Sequence, residues 1–483
     1  MESGPEESWM KTWPSLSLTL LISLLPGLAQ AQSAAGPAPI SQPAAEAAAV
    51  DWMNTEGHPL SGADASPAEL APLAARLAGA KVIGIGEVTH GDHEDHHFKA
   101  DLIEELVREG AVDVVVLESN RDVARSFDLY VREGKGDPIA LMRSTSFFRV
   151  FRDEEFAGLL VWLRAWNQVA TRPVRIIGID DQDVGRDAAF ALAMVARHDD
   201  ALAQKMRIPF GNVIAGADGI WPKSFVWVGG MTATQIAAAK ANARLLADTI
   251  KDHQTQWGAD PDYAEAVYAA EVAWQNIDIF ELEGADTDRM GDRPKGYYAR
   301  RDTFMAQNLL ARLKPDEHAA FWAHNGHVMA GLPSSFIAQD GTTVGHELRQ
   351  KLGDGYLALG FSYSRGDIAI IVGDLSKVSP ATTNEQVWTA VNDRPGALGY
   401  VFGQAKADAL WLDMVHRPTS PTLDAWVKMP YQDGSVGWGV NPAEWPNGPA
   451  APEDALPLDT GFDVLVWFRH LTPSRRLPAV PLP

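Results

Sequence analysis

Seven short apolar, largely β-branched runs punctuate the chain: "KVIGIG" at 81–86, "VDVVVLE" at 112–118, "VRIIGID" at 174–180, "AAFWAHN" at 319–325, "GYLALGF" at 355–361, "DIAIIVG" at 367–373 and "DVLVWF" at 463–468. Most are apolar at consecutive positions, the pattern of strands covered on both faces of a sheet. Between the first two, Phe98, Leu102, Leu106 and Val107 recur on one helical face, with Gly110 placed as a stop. Strand, helix and strand within about 35 residues make a βαβ unit, so the expected fold is α/β with a mostly parallel central sheet flanked by helices.

The period changes over residues 185–318. "AAFALAMVARHDDALAQKM", "TATQIAAAKANARLLADTIKDH", "PDYAEAVYAAEVAWQNIDIFEL" and "YYARRDTFMAQNLLARLK" have helical spacing and helix-favouring composition. They predict a helical lobe that forms a cleft over the carboxyl ends of the strands. The Gly-, Pro- and aromatic-rich stretch 207–231 suits a loop lining that cleft. No fixed-period repeat is visible.

Four predicted strands run into ionisable side chains. The first leads to Glu87 and His90, the second to Glu118, the third to Asp180 and Asp181, and the fourth to His324, Asn325 and His327. Ligands of open parallel sheets bind beyond the carboxyl ends of the strands, so these residues are expected to share one edge. Blander readings exist for several of them. In "HEDHH", Asp92 can cap the helix while Glu94 and Asp95 complement its positive end, leaving His96 and His97 as surface residues of the first turn. His93 stays open between the two readings. His327 also suits a core position bonded to a carbonyl, although Asn325-Gly326 before it favours a tight turn.

Composition narrows the chemistry. With 483 residues and 46% apolar content, the chain can build one large or two ordinary domains. It has no cysteine, which excludes thiol nucleophiles, thiolate metal sites and disulfides. A net charge of −22, spread along the chain, argues against nucleic acid or anionic membrane as partner. The apolar stretch "SLSLTLLISLLPGLAQA" ends in Ala29-Gln30-Ala31, so residues 1–31 read as a signal peptide cut after Ala31. Lys11 supplies its positive start if Met10, and not Met1, initiates. The apolar part falls short of the roughly 20 residues of a membrane span. Residues 32–55 are Ala/Pro-rich and read as a flexible linker or early helix, with the main domain over 56–483. A periplasmic or secreted monomer is expected, without stable membrane association after cleavage.

The segments "GEVTHGDHEDHHFKADLIEELVREG" with "VVVLES", then "GID", "RRDTFMAQN", "FWAHNGHV", "LGDGYLALGF" and "FDVLVWFRHLTPS" resemble, in this order, the erythromycin esterase-like family. The resemblance runs from about residue 60 to the end. It implies an α/β core with a helical lobe and a deep cleft, and hydrolysis of a macrolactone ester without a metal or other cofactor. It places the family's essential, water-activating histidine on His90, its motif glutamate on Glu87 and the next strand's carboxylate on Glu118. The later histidine pair falls on His324 and His327. Lys99 stands where characterised macrolide esterases carry arginine, and so keeps a point charge without the bidentate fork.

No G-x-S-x-G elbow is present, which disfavours a serine acyl-enzyme. The simplest scheme has neutral His90 take a proton from water, since imidazole ordinarily titrates near working pH. Glu87 or Glu118 would orient it, and His324 or His327 would donate to the oxyanion or the leaving alkoxide. Lys99, His93, Asp180 and Arg301 are candidates for holding a small-molecule ester or lactone. Two rivals remain: a metal held by His90, Glu118, His324 and His327, and a cleft that binds haem or a polyketide without chemistry.

Overall fold

All seven apolar runs are strands of one sheet, and two of them are halves of a single long strand. The computed structural model describes residues 40–144, 147–182, 184–207, 232–283, 296–374, 385–443 and 455–478. Its strands are β1 (His58–Pro59), β2 (Val82–Ile85), β3 (Val114–Asn120), β4 (Arg175–Asp180), β5 (Ala319–Trp322), β6 (Tyr356–Val372), β7 (Gln386–Val391), β8 (Ala409–Asp413), β9 (Gly439–Val440) and β10 (Val464–Leu471). They are ordered β1-β8-β10-β6-β2-β5-β3-β4, with β7 and β9 paired to the far half of β6. From β10 to β4 every neighbouring pair is parallel, and the antiparallel β8 and β1 finish one side. The expected α/β class with a mostly parallel sheet is what forms.

Both faces of this sheet are covered, which is why its strands are apolar at consecutive positions. Val115 and Leu117 of β3 enter one apolar cluster, with Ala320 and Trp322 of β5. Val114 and Val116 enter the other, with Ala319 and Phe321. Each Val, Leu or Phe among them, fully buried, contributes about 1.5–3 kcal/mol. Helices α2 (Pro67–Leu77), α3 (His93–Arg108), α4 (Arg121–Glu133) and α6 (Glu154–Asn167) supply buried residues to the first cluster, with α5 (Pro138–Ser144) beside them.

The amino-terminal boundary differs from expectation. Residues Gln42–Thr55 form helix α1, which buries Ala45, Ala49, Trp52 and Met53. Trp52 meets the edge of Trp426 with ring centres 6.2 Å apart. Of the two readings of this Ala-rich stretch, the early helix is what forms from Gln42. Alanine is the strongest helix former, and residues 45, 49, 52 and 53 make one apolar stripe. The expected signal peptide and the start of the linker lie outside the described residues, as does the loop 208–231.

The helical block over α7 (Val184–His198), α8 (Asp200–Arg207), Ala233–Asp252 and Tyr263–Glu283 has its own core, including Val195, Leu246 and Ala270. Tyr268 ties it to the edge strand by donating to Gly178 O at 2.8 Å. The last helix of the expected lobe, Tyr297–Arg312, joins lobe and sheet: Met305, Ala306 and Leu309 enter the second sheet cluster, while Phe304 meets Trp274 and Asn308 pairs with Gln275. Among the described residues no helix is long and apolar enough to cross a membrane.

Candidate active site

The turn from β2 into α3 is built by the residues that crowd the sequence there. Asp92 caps α3 by accepting from Asp95 N at 2.7 Å, and its other oxygen takes the Thr89 hydroxyl at 2.5 Å. Asp95 accepts from Val88 N at 2.7 Å. Burial pushes the Asp92 carboxyl up to about 7 and that of Asp95 well above the carboxylate range. Gly86 is required by what lies against it. A Cβ there would overlap Asn325 Oδ1, and the Asn325 amide is locked to Phe361, donating to its O at 2.8 Å and accepting from its N at 3.1 Å. The "GE" and "AHN" segments are thus two sides of one joint.

This turn presents His90. Its Nδ1 bonds Glu87 Oε1, and its Nε2 makes no hydrogen bond to any described residue. Its ring stands edge-on to Phe151 at 5.2 Å and 4.9 Å from the His324 ring. Glu87 is wholly buried, and its second oxygen takes Lys99 Nζ at 2.5 Å, with His96 Nε2 3.3 Å away. Burial alone would raise this carboxyl, but Lys99 and then His96 hold it well below the usual range. Glu87 is therefore charged whenever the protein is folded near neutrality.

Two expectations about α3 need correction. Lys99 has no exposed surface to offer a ligand: it is fully buried behind Glu87, 3.3 Å from Ala323 O and over the Trp322 ring at 4.3 Å. His96 is no surface residue. It is also fully buried, its Nδ1 bonding Asp153 Oδ2 at 2.7 Å. Burial works against its charge, but Asp153 and Glu87 together push it up to about 10, which makes it an imidazolium. The start of α3 is covered because the carboxyl-terminal segment and the start of α6 lie across it. His93 N donates to Thr472 O at 2.8 Å, and Asp153 caps α6. His93 itself bonds Glu155 at 2.6 Å and stacks on His97 at 5.0 Å, so its ring belongs to this cover and not to the His90–His324 pair.

A raised pKa fixes a sign. His96 titrates higher folded than its ordinary 6.5, so its contribution to stability is complete below about pH 6.5 and is lost as pH rises toward 10. His96→Asn should therefore lower Tm most in mildly acidic buffer. Its deficit against the parent should shrink through that window in melting curves, and a gap independent of pH would show that His96 carries no charge.

Glu118 reaches the same edge through an irregularity. Between the pairs Leu117–Gly178 and Asn120–Asp180, β3 holds one residue more than β4, a bulge that re-aims side chains. Glu118 accepts from His324 N at 3.1 Å and Arg301 Nη2 at 3.0 Å, with His327 Nε2 3.1 Å away. Arg301 also forks onto Asp180 at 3.0 and 2.6 Å. Asp180 further accepts from Asp181 N and Gln182 Nε2, both at 2.8 Å. Arg301 and Asp180 thus bind each other; the expectation that they hold substrate gives way to a buried brace. His327 bonds Asp302 at 2.9 Å; burial opposes its charge, but Asp302 and Glu118 push it up to about 10. His327 and Arg301, 3.1 Å apart, share three carboxylates.

His324 is the opposite case. Burial and neighbouring His90 lower it to about 3, and its Nδ1 accepts from Gly326 N at 3.1 Å. It is a neutral imidazole with hydrogen on Nε2, which faces Ser435 Oγ at 3.0 Å.

Sequence reasoning missed His96, Asp153, Ser435 and Arg476. Arg476 donates to His90 O at 2.6 Å and Ala369 O at 3.0 Å, and stands 3.3 Å from Asp153. His96 had a legible signal, because positions 96, 99, 103 and 107 share one helical face and two of them are Ile103 and Val107. Ser435 and Arg476 sit in loops and had none. As for a metal, His324 Nδ1 and both nitrogens of His327 are already engaged. Among the described residues, no group of three or more His, Asp or Glu is arranged to hold one.

An α/β sheet whose carboxyl edge gathers carboxylates and imidazoles around one open histidine nitrogen defines an enzyme of the α/β class. The model of the erythromycin esterase family matches residues 107–471, and the chain belongs to that family. It is a hydrolase acting on esters. A putative hydrolase of Bacillus subtilis, YbfO, is 20% identical over 88% of this chain and 91% of its own length. Erythromycin esterase type I of Escherichia coli is 24% identical over 60% of this chain and 72% of its own. Among solved structures, a Bacillus cereus protein superposes with a TM-score of 0.72 at 23% identity, covering 91% of this chain and all of that one. An erythromycin esterase variant in an open conformation gives 0.63 at 16% identity, covering 88% and 99%. The family match begins inside α3, so the turn bearing His90 lies ahead of it.

Proposed function

We propose that this chain is an exported hydrolase that opens a carboxylic ester or lactone with water activated at His90, without a metal. The observation that carries the reading is the Glu87–His90 pair. A buried, charged carboxylate fixes hydrogen on Nδ1 and leaves the Nε2 lone pair open. Water bonded to Nε2 gives up its proton as its oxygen attacks the carbonyl carbon. Neutral His324, 4.9 Å from His90, marks the side on which the carbonyl oxygen lies. Glu118, braced by Arg301 and His327, holds the His324 backbone.

A macrolide-type lactone is the first substrate class to test, since two relatives are named erythromycin esterases. Lys99 bears on this less directly than its sequence position implied, because its ammonium acts on Glu87. Export rests on residues 1–31, and cleavage after Ala31 is read by amino-terminal sequencing of protein recovered outside the cytoplasm.

The test is a mass-spectrometric screen of purified protein against large-ring lactones, small-ring lactones and p-nitrophenyl esters, with and without chelator. Expected is a product heavier by one water, formed equally in both. Ligand depletion without product would make the protein a binding module. Activity lost to chelator and restored by a divalent metal would replace the metal-free scheme.

A further inference from the structure

The loop that ends at Val436 is fastened directly to the turn bearing His90. Val436 N donates to Val88 O at 2.9 Å, and His90 N donates to Val436 O at 3.2 Å. Thr89 and Val436 face each other in a parallel bridge. Side chains alternate along extended chain, which puts Ser435 and His90 on the same side of that bridge. The loop is built to hold this pose. Gly434 adopts φ 69°, where a Cβ would overlap Asn392. Tyr363 donates to Gly434 O at 2.9 Å, Asn392 donates to Asp433 O at 3.0 Å, and Asp433 accepts from Ser435 N at 3.1 Å.

The direction of the Ser435–His324 hydrogen bond follows from His324. Gly326 N–H occupies Nδ1, so the imidazole hydrogen is on Nε2 and donates to Ser435 Oγ. A nucleophilic serine would need the reverse, with Nε2 accepting. Ser435 Oγ therefore accepts from His324, and no described residue accepts the hydrogen of its own hydroxyl. A hydroxyl that accepts one hydrogen bond donates a stronger one.

We infer that Ser435 is a catalytic residue whose hydroxyl, polarised by His324, donates to the carbonyl oxygen as it becomes an oxyanion. The inference rests on the reading of His90 as the base. As the water oxygen bonds to the carbonyl carbon, its proton goes to His90 Nε2 and the π pair moves onto the carbonyl oxygen. Ser435 hydrogen-bonds to that oxygen and keeps its proton. The pair then returns, the ester C–O bond breaks, and the leaving alkoxide takes the proton from His90.

The test compares Ser435→Ala, Ser435→Thr and Ser435→Cys in the full enzyme, on whichever ester of the screen the parent hydrolyses fastest. Loss of one oxyanion donor typically lowers kcat at least about 10²-fold, so Ser435→Ala should fall by about that factor with KM within roughly threefold. Threonine, which keeps the hydroxyl, should recover most of the rate; cysteine, of similar size but a poor donor, should not. The shape of the pH profile should match the parent. Nitrogen-15 spectra should show His324 neutral with hydrogen on Nε2. A Ser435→Ala rate within about threefold of the parent, rescue by cysteine as good as by threonine, or hydrogen on His324 Nδ1 would each overturn the inference. Full activity in His90→Ala, or no turnover of any ester by the parent, would instead bring down the reading on which it rests.

Discussion

Replacing His90 by alanine should lower kcat by about 10²- to 10⁴-fold, the range general-base catalysis supplies. The fold should survive, because among the described residues the imidazole makes a single hydrogen bond, to Glu87, and that carboxylate keeps Lys99 as a partner. Kinetics at saturating ester, paired with circular dichroism, separate the two effects. Imidazole added to the variant should restore part of the rate, since the vacated position still borders Glu87. Turnover at the parent's level in a folded His90→Ala protein would remove His90 from the chemistry.

Glu87→Gln should be more damaging to the whole molecule. Lys99 and His96 are both fully buried, and Glu87 is the shared anion between them. Removing one member of a buried ion pair typically costs about 3–5 kcal/mol, because the remaining charge is stranded. Its pH dependence has a definite sign. The folded carboxyl titrates well below its ordinary 4.5, so its stabilisation is present above about pH 4.5 and is lost as pH falls toward the folded value. The parent should therefore lose stability in acid more steeply than Glu87→Gln. Adding Lys99→Met to Glu87→Gln should recover part of the loss, by removing the stranded ammonium. A Glu87→Gln protein that melts with the parent would show that the two cations do not depend on it.

The central strands were legible because a doubly covered parallel strand leaves a continuous apolar run. β7, "QVWTAV", escaped because most of it is exposed and it has no continuous apolar run, and β8, "ALWLD", lies toward the margin of the sheet. The joining of 356–372 into one strand was hidden by the polar residues Arg365 and Asp367, which are exposed between two buried halves of β6. At the site, Glu87, His90, Glu118, His324 and His327 were legible because each follows or ends a strand, and the sheet brings those ends together. Roles were less legible than places. Lys99, Asp180 and Arg301 look alike in sequence whether they meet a ligand or one another, and only the pairing distances show that they brace the site from behind. Ser435 and Arg476 come from loops that pack across the edge late in the chain, where no periodicity exists to read.

The hold of Arg476 on His90 O spans 386 positions of sequence. Gly91 O likewise accepts from Ser474 N at 3.0 Å, and β2 finds its neighbours only at Ala319 and Tyr356. A ribosome adding residues in order makes His90 long before the residues that clasp its turn. The turn that carries His90 therefore stays without these fastenings until residues 474–476 have been made.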